Sequence, residues 1–403
     1  MADLSVDFCG LKHINPFVVA ASPSSDSREK VQRALDAGWA GVVFKTTATA
    51  AHSPSLAEPN MAGVPLLGQR QYGFYNIDLI SERSIVHIQE DIAYFKRQYP
   101  DRILTGSIMA DCHEDWQVLV NALEDAGADM IECSMSCPQG EHSLVTGGPA
   151  RDAIPAADTE LMRQTTAWIK SCVRKGTPVI VKMTPNVTDI CAIANSAASG
   201  GADAVCAIDT VRAFIGLDLE NDGKPLLNVD GYSTWGGLSG PAIKPIALGC
   251  VSRLAKETTL PIAGVGGISN WRDAAEFLLL GAVTVQVCTA ITRYGFSMVG
   301  KMRDGLSDYM DRMGFAAVSD MVGHSLKYLV PHSQLSREGS GAAEIDESRC
   351  VSCGVCGVAC RDAGFGAIVA KKGELPAVKA AVCRSCGVCR SVCPKDCISI
   401  GRA

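Results

Sequence analysis

The chain has 403 residues, a net charge of −6 at neutral pH and 18 cysteines, a length that suits one large domain plus a small one. The mild acidity and the lack of a polybasic stretch argue against a nucleic-acid binder. No apolar run reaches the ~18 residues that span a bilayer, and the start "MADLSVDFCG" has no charged-then-apolar signal pattern, so a cytoplasmic protein is expected.

From residue 1 to about 330 short apolar strands alternate with amphipathic helical stretches. The expected strands are Phe17–Ala20, Gly41–Phe44, Leu104–Ile108, Met130–Cys133, Val179–Lys182, Ala204–Ile208, Ile262–Val265 and Thr284–Val287. Four are announced by a helix-ending glycine, in "DAGWAGVVF", "DAGADMIEC", "SGGADAVCAI" and "LLGAVTVQV". Strands alternating with helices point to a parallel sheet. Eight such units point to an α/β fold of the (β/α)8 TIM barrel type, with a doubly wound open sheet as the alternative.

A barrel places its chemistry at the C-terminal ends of the strands. The polar residues there are Ser22, Lys45, Thr46, Ser107, Ser134, Ser136, Cys137, Lys182, Asn186, Asp209, Thr210, Gly266, Gly267, Cys288 and Thr289. Lys45 and Lys182 each follow an apolar strand and would point into the barrel mouth, where an ammonium needs an anionic or hydrogen-bonding partner. Structural salt bridges are the plainer reading of both. In "IECSMSCPQG" two cysteines stand four residues apart; either they pack, or one does chemistry. The turns "GVGGISN" and "QVCTAI" follow the last two strands, where barrels commonly hold a phosphate. The Gly-x-Gly-Gly run lacks the third spaced glycine of a dinucleotide fingerprint, so no NAD site is expected on this chain.

The tail reads "CVSCGVCGVAC" and "CRSCGVCRSVCP", giving C-x2-C-x2-C-x3-C twice. This is the pattern of two-cluster ferredoxins, in which the fourth cysteine of each run ligates the other cluster. Cys350, Cys353, Cys356 and Cys393 are assigned to one [4Fe–4S] cluster, and Cys383, Cys386, Cys389 and Cys360 to the second. Structural zinc fits eight cysteines in such runs poorly. Arg361 stands where a proline often follows the fourth cysteine, and Cys397 is left over as a packing thiol. The expected domains are a barrel over 1–330, a linker over 331–341 and a ferredoxin-like domain over 342–403. An iron–sulfur module needs a redox centre to feed, and FMN meets that need together with the phosphate-type loops.

The motifs "VVFKTT", "GFYNID", "SMSCP", "VKMTPN", "AIDT", "SGPAIKPIAL", "GVGGI" and "QVCTAI", followed by the two cluster runs, resemble the catalytic subunit of the bacterial two-subunit NAD-dependent dihydropyrimidine dehydrogenases, relatives of the dihydroorotate dehydrogenases. The resemblance covers almost the whole chain. It implies FMN-dependent reduction of the C=C of a cyclic amide such as uracil or thymine. Electrons would come from NAD(P)H through a partner flavoprotein and the clusters, in a homo- or hetero-oligomer. It makes Cys137 the proton donor, within a motif whose serine matches Ser136, and leaves Cys133 as packing. Lys45 and Lys182 match flavin-contacting lysines, with Ser22, Thr46, Ser239, Gly240 and Cys288 assigned to the same cofactor. Gly266, Gly267 and Thr289 match its phosphate loops. Asn76 matches a substrate-binding asparagine. Thr210 and Asn186 are assigned to the substrate as well, although Asn186 could simply shape its turn. The long segment Gln139–Ala157 is expected to act as a lid.

Two positions depart from that family. Ser134 and Asp209 stand where it has asparagines that would contact the pyrimidine. Asn both donates and accepts, whereas an ionised Asp only accepts. Three readings therefore stand: reduction of uracil or thymine, the same chemistry on a donor-rich N-heterocycle, and an electron-transfer subunit whose flavin only relays electrons.

Overall fold

The computed structural model describes residues 2–49, 55–66, 69–110, 112–135, 158–336, 341–363 and 365–401, with backbone alone for 65, 66 and 69–71. The chain divides into two compact units, residues 1–328 and 329–403.

The first unit is a closed barrel of parallel strands in sequential order: β1 Phe17–Val19, β2 Gly41–Val43, β3 Ile103–Ile108, β4 Met130–Ser134, β5 Val179–Met183, β6 Ala204–Ala207, β7 Ile262–Val265 and β8 Thr284–Val287. The ring closes where Gln286 pairs with Val18, which excludes the open sheet. Every residue of these strands is buried, as expected when one face meets helices and the other fills the barrel. Helices α1 Arg28–Ala37, α2 Ile85–Gln98, α3 His113–Ala126, α4 Thr159–Cys172, α5 Ile190–Ser199, α6 Lys244–Glu257 and α7 Trp271–Leu279 connect successive strands. Some starts carry side-chain caps: Ser27 accepts from the Lys30 amide, Asp158 from Leu161 and Asn270 from Arg272.

Two additions dress the barrel ends. A hairpin of Val6–Phe8 and Leu11–His13 places Phe8 against Ile103, Met130, Ile180 and Ala204, and so covers the N-terminal end. The loops after β2 and β6 supply a four-stranded antiparallel sheet at the other end, in the order Val211–Ala213, Gly236–Ser239, Gln69–Asn76, Met61–Leu66. These strands carry no clean alternation, and their glycines answer to close approach. A Cβ on Gly237 would lie 2.3 Å from the Thr210 hydroxyl, and one on Gly236 2.2 Å from the Asn76 carbonyl.

The second unit pairs Ala343–Ile345 with Ile398–Ile400 and Ile368–Val369 with Ala377–Val378, around the short helices Val355–Asp362 and Val388–Ser391. Among the described residues no helix is long and apolar enough to cross a membrane.

One buried carboxylate ties α3 to the approach to β5. Glu124 accepts from the amides of Arg174 and Lys175, both at 2.9 Å, and from the Thr177 hydroxyl at 3.0 Å. Burial alone would raise its pKa, but these donors hold it below the usual value. A depressed carboxylate stabilises the fold above its unfolded pKa of about 4.3, and that contribution fades as pH falls through the lower folded value. Glu124→Gln keeps only one acceptor oxygen. It should cost about 1–3 kcal/mol at pH 7, measured by denaturant unfolding, with the gap to the native chain narrowing below about pH 4.

Candidate active site

At the C-terminal ends of the strands lies a cavity of about 550 Å³, within the roughly 300–1,000 Å³ range of ligand pockets. It is lined by Ser22, Lys45, Thr46, Asn76, Ser134, Lys182, Asp209, Thr210, Ser239, Gly240, Gly266, Gly267, Cys288 and Thr289. Among the described candidates Asn186 does not line it. Its amide donates to the Thr184 hydroxyl at 2.8 Å and to the Thr210 carbonyl at 3.1 Å, and accepts from the Arg212 amide at 2.8 Å. Asn186 thus joins the loops after β5 and β6. Ser136, Cys137 and the segment 139–157 lie outside the described residues. Cys133 is fully buried in the apolar core.

Strand alternation places Lys182 of β5 inside the barrel, with Glu132 of β4 and Gln286 of β8. The Lys182 ammonium is 3.7 Å from Glu132 Oε1, and Gln286 Nε2 donates to Glu132 Oε2 at 3.0 Å. Glu132 is 0% exposed and Lys182 7%. Burial pushes the lysine's pKa down, but Glu132 and then Asp209 outweigh it, and the net shift is upward. The ammonium therefore stays charged at the cavity floor.

Lys45, just beyond β2, is held by Asp78, with Nζ 3.1 Å from Oδ1 and 3.0 Å from Oδ2. Burial raises the Asp78 pKa, and Lys45 opposes the rise. Asp78 and Gln286 also line the cavity. Sequence reading passed over Asp78, Glu132 and Gln286. The available signals were the spacing of Asp78 two residues past Asn76, and two polar side chains inside otherwise apolar strands.

The rest of the rim is organised by short polar links. Thr46 shares a hydrogen bond with Ser107 at 2.8 Å. Asn76 donates to the Gly237 carbonyl at 3.2 Å. Asp209 Oδ1 accepts from the Thr210 amide at 2.7 Å. Thr289 donates to Ser239 at 3.0 Å, and Ser239 donates to the Phe74 carbonyl at 3.3 Å. Ser22 caps its turn by accepting from the Ser24 amide. Gly266 and Gly267 have φ of 127° and 78°, a region L side chains rarely adopt. A Cβ on Gly267 would lie 2.8 Å from the Lys244 amide nitrogen, where α6 begins. This glycine pair and the neighbouring Thr289 hydroxyl form a cradle suited to a phosphate, and two lysines wait deeper in the same cavity. The donor set fits a flavin mononucleotide.

The second unit gathers its sulfurs in two crevices. One is lined by Cys350, Cys353, Cys356 and Cys393, with Cys397; the other by Cys360, Cys383, Cys386 and Cys389. Amides aim at the sulfurs: Ser352 at Cys350 (3.5 Å), Ser385 at Cys383 (3.5 Å) and Ala367 at Cys360 (3.2 Å). Among the described residues no three His, Cys, Asp or Glu side chains are grouped to hold one metal ion. A single zinc needs its ligands about 2.3 Å from one point, whereas an iron–sulfur cube holds its thiolates farther apart.

The dihydroorotate dehydrogenase family model matches residues 3–310, and a 4Fe-4S dicluster domain model matches residues 343–400. The NAD-dependent dihydropyrimidine dehydrogenase subunit PreA of Escherichia coli K12 is 37% identical over 99% of this chain and 95% of its own. The chloroplastic dihydropyrimidine dehydrogenase (NADP(+)) of Arabidopsis thaliana is 34% identical over 85% of this chain and 81% of its own. The catalytic subunit of dihydroorotate dehydrogenase B (NAD(+)) of Thermoplasma volcanium is 33% identical over 81% of this chain and 100% of its own.

The buried pair beneath the cavity makes a direct test. Glu132→Ala leaves the Lys182 charge without its closest carboxylate and should cost about 3–5 kcal/mol of stability. Adding Lys182→Met to it should recover most of that loss in thermal unfolding. A double variant as unstable as Glu132→Ala would mean that the lost packing, and not the stranded charge, sets the cost.

Proposed function

Because the chain belongs to the dihydroorotate dehydrogenase family and ends in a dicluster domain, we propose that it is an FMN-dependent reductase of the C=C in a cyclic amide. Uracil or thymine is the default substrate. The observation that carries the reading is the single cavity shared by two carboxylate-held lysines, a glycine phosphate cradle and a polar rim that includes Asn76 and Thr210.

Lys182 and Lys45 hold the flavin ring. Ser22, Thr46, Ser239, Gly240 and Cys288 contact the same cofactor, and Gly266, Gly267 and Thr289 hold its phosphate. When bound and reduced, FMN supplies the hydride for one carbon of the double bond. The Cys137 thiol supplies the proton for the neighbouring carbon. A thiol, unlike a thiolate, carries the proton that this step needs. Asn76, Ser134, Ser136, Asp209 and Thr210 hold the ring, while Asn186 steadies the Thr210 loop. Cys350, Cys353, Cys356 and Cys393 hold one [4Fe–4S] cluster, and Cys383, Cys386, Cys389 and Cys360 the other. Clusters held there would supply a path for electrons drawn from NAD(P)H by a partner flavoprotein subunit.

One observation favours a second reading of the substrate. Asp209 lines the cavity with a carboxylate already accepting one backbone hydrogen bond, and an ionised carboxylate only accepts. That edge prefers a ring presenting N–H or amino donors, and Ser134 leaves room for bulk.

The test is anaerobic titration of the photoreduced protein with uracil, thymine, orotate and amino-substituted heterocycles, reading the return of oxidised flavin absorbance. Rapid reoxidation by uracil or thymine supports the default substrate. Reoxidation by donor-rich rings alone supports the second reading. Cys137→Ala should lower the reoxidation rate by about 10²–10⁴-fold and leave photoreduction of the flavin intact. A variant as fast as the native chain would remove Cys137 as the proton donor, and no reoxidation of the native chain by any compound would favour the relay role. In the native chain the reoxidation rate should fall at alkaline pH, as the thiol loses the proton it must donate.

A further inference from the structure

The two sulfur crevices are not equivalent. The repeat places a fourth cysteine at Cys360 in the first run and at Cys393 in the second. Four residues further on, the first run has Gly364 and the second has Cys397. One crevice therefore holds four cysteines and the other five.

The fifth thiol is in place for a specific contact. Cys397 is 5% exposed. Its Sγ lies 3.3 Å from Cys393 Sγ, and its own amide points at the same sulfur at 3.5 Å. The turn is anchored by the Asp346 amide, which donates to the Cys397 carbonyl at 2.8 Å, and by the strand Ile398–Ile400 that follows at once. A cysteine S–H is a weak donor, and a thiolate ligand can only accept. Cys393 would thus receive an S–H and an N–H bond from one residue. Cys360 receives the Ala367 amide at 3.2 Å, and no cysteine stands at the matching position.

Hydrogen bonds to the cysteine sulfurs are one of the levers that set a cluster's reduction potential. They withdraw charge from the thiolate and favour the reduced, more negative state. We propose that Cys397 is a positioning residue that donates its S–H to the Cys393 thiolate and raises the potential of the Cys350/Cys353/Cys356/Cys393 cluster above that of its twin. The chain would then hold two unequal electron stations, and the fifth thiol would set part of the step between them. This rests on the cluster assignment proposed above.

The experiment is an EPR-monitored redox titration of the anaerobically purified full-length chain, with Cys397→Ala and Cys397→Ser alongside, and with iron and sulfide content measured first. The expected result is that Cys397→Ala lowers the midpoint of one cluster and leaves the other where it was. Cys397→Ser, which keeps an O–H donor, should fall between Cys397→Ala and the native chain. Unchanged midpoints in Cys397→Ala at full iron content would overturn the proposal and return Cys397 to a packing thiol. So would an equal shift of both clusters. Loss of one cluster in both variants would overturn it too, by making Cys397 a ligand. A native chain without two clusters' worth of iron and sulfide would instead defeat the assignment on which the proposal rests, before any variant is compared.

Discussion

Two ammonium groups are held out of water at one end of a closed barrel, and each depends on a carboxylate from another segment. Lys182 relies on Glu132 across adjacent strands, and Lys45 relies on Asp78 from the loop that returns to the barrel mouth. An unpaired buried charge is among the costliest features a fold can carry. The cavity therefore keeps its shape only while β4, β5, β8 and the loop carrying Asp78 stay in register. The hydrogen bond from Gln286 to Glu132 extends the same demand to the far side of the barrel.

That pairing has a functional side. Two ammonium groups at the cavity floor offer N–H donors to electron-rich groups above them, while the glycine cradle at the ends of β7 and β8 suits phosphate. The antiparallel sheet adds the third wall. It brings Asn76 to Gly237 and packs Gly237 against Thr210. Residues from the loops after β2 and β6 meet there because a barrel sends all such loops to one end. Asp209 lines the same cavity, its Oδ1 accepting from the Thr210 amide.

The second unit follows another logic. Small residues let the backbone wrap each sulfur crevice, and the two halves are built alike down to Ser352 and Ser385, both at left-handed φ and both aiming an amide at a cysteine. Against that near symmetry Cys397 stands out. One added thiol on one side is a small chemical change, and it lies 3.3 Å from the Cys393 sulfur.

Much of this was legible in the chain itself. All eight barrel strands fall within one residue of the positions expected from apolar runs and glycine caps, because a parallel strand buried on both faces has a local signature. The cysteine spacings carried the dicluster domain for the same reason, since a cluster motif is a short-range pattern. Most candidate residues at strand ends line one cavity, because barrel topology fixes where strand ends go. The tertiary structure decided the rest. Glu132 sits in an apolar run where either face could be inward, and only its contact with Lys182 shows which. Asp78 lies 33 residues from Lys45, and Asn186 turned away from the cavity because three partners on two loops claim its amide. The glycine-rich antiparallel sheet had no alternation to announce it, since its strands exist through close approach to one another. Local patterns are written in the sequence because the chain's own geometry enforces them. Pairings between distant segments are decided only when the barrel closes and each buried polar group must find its partner.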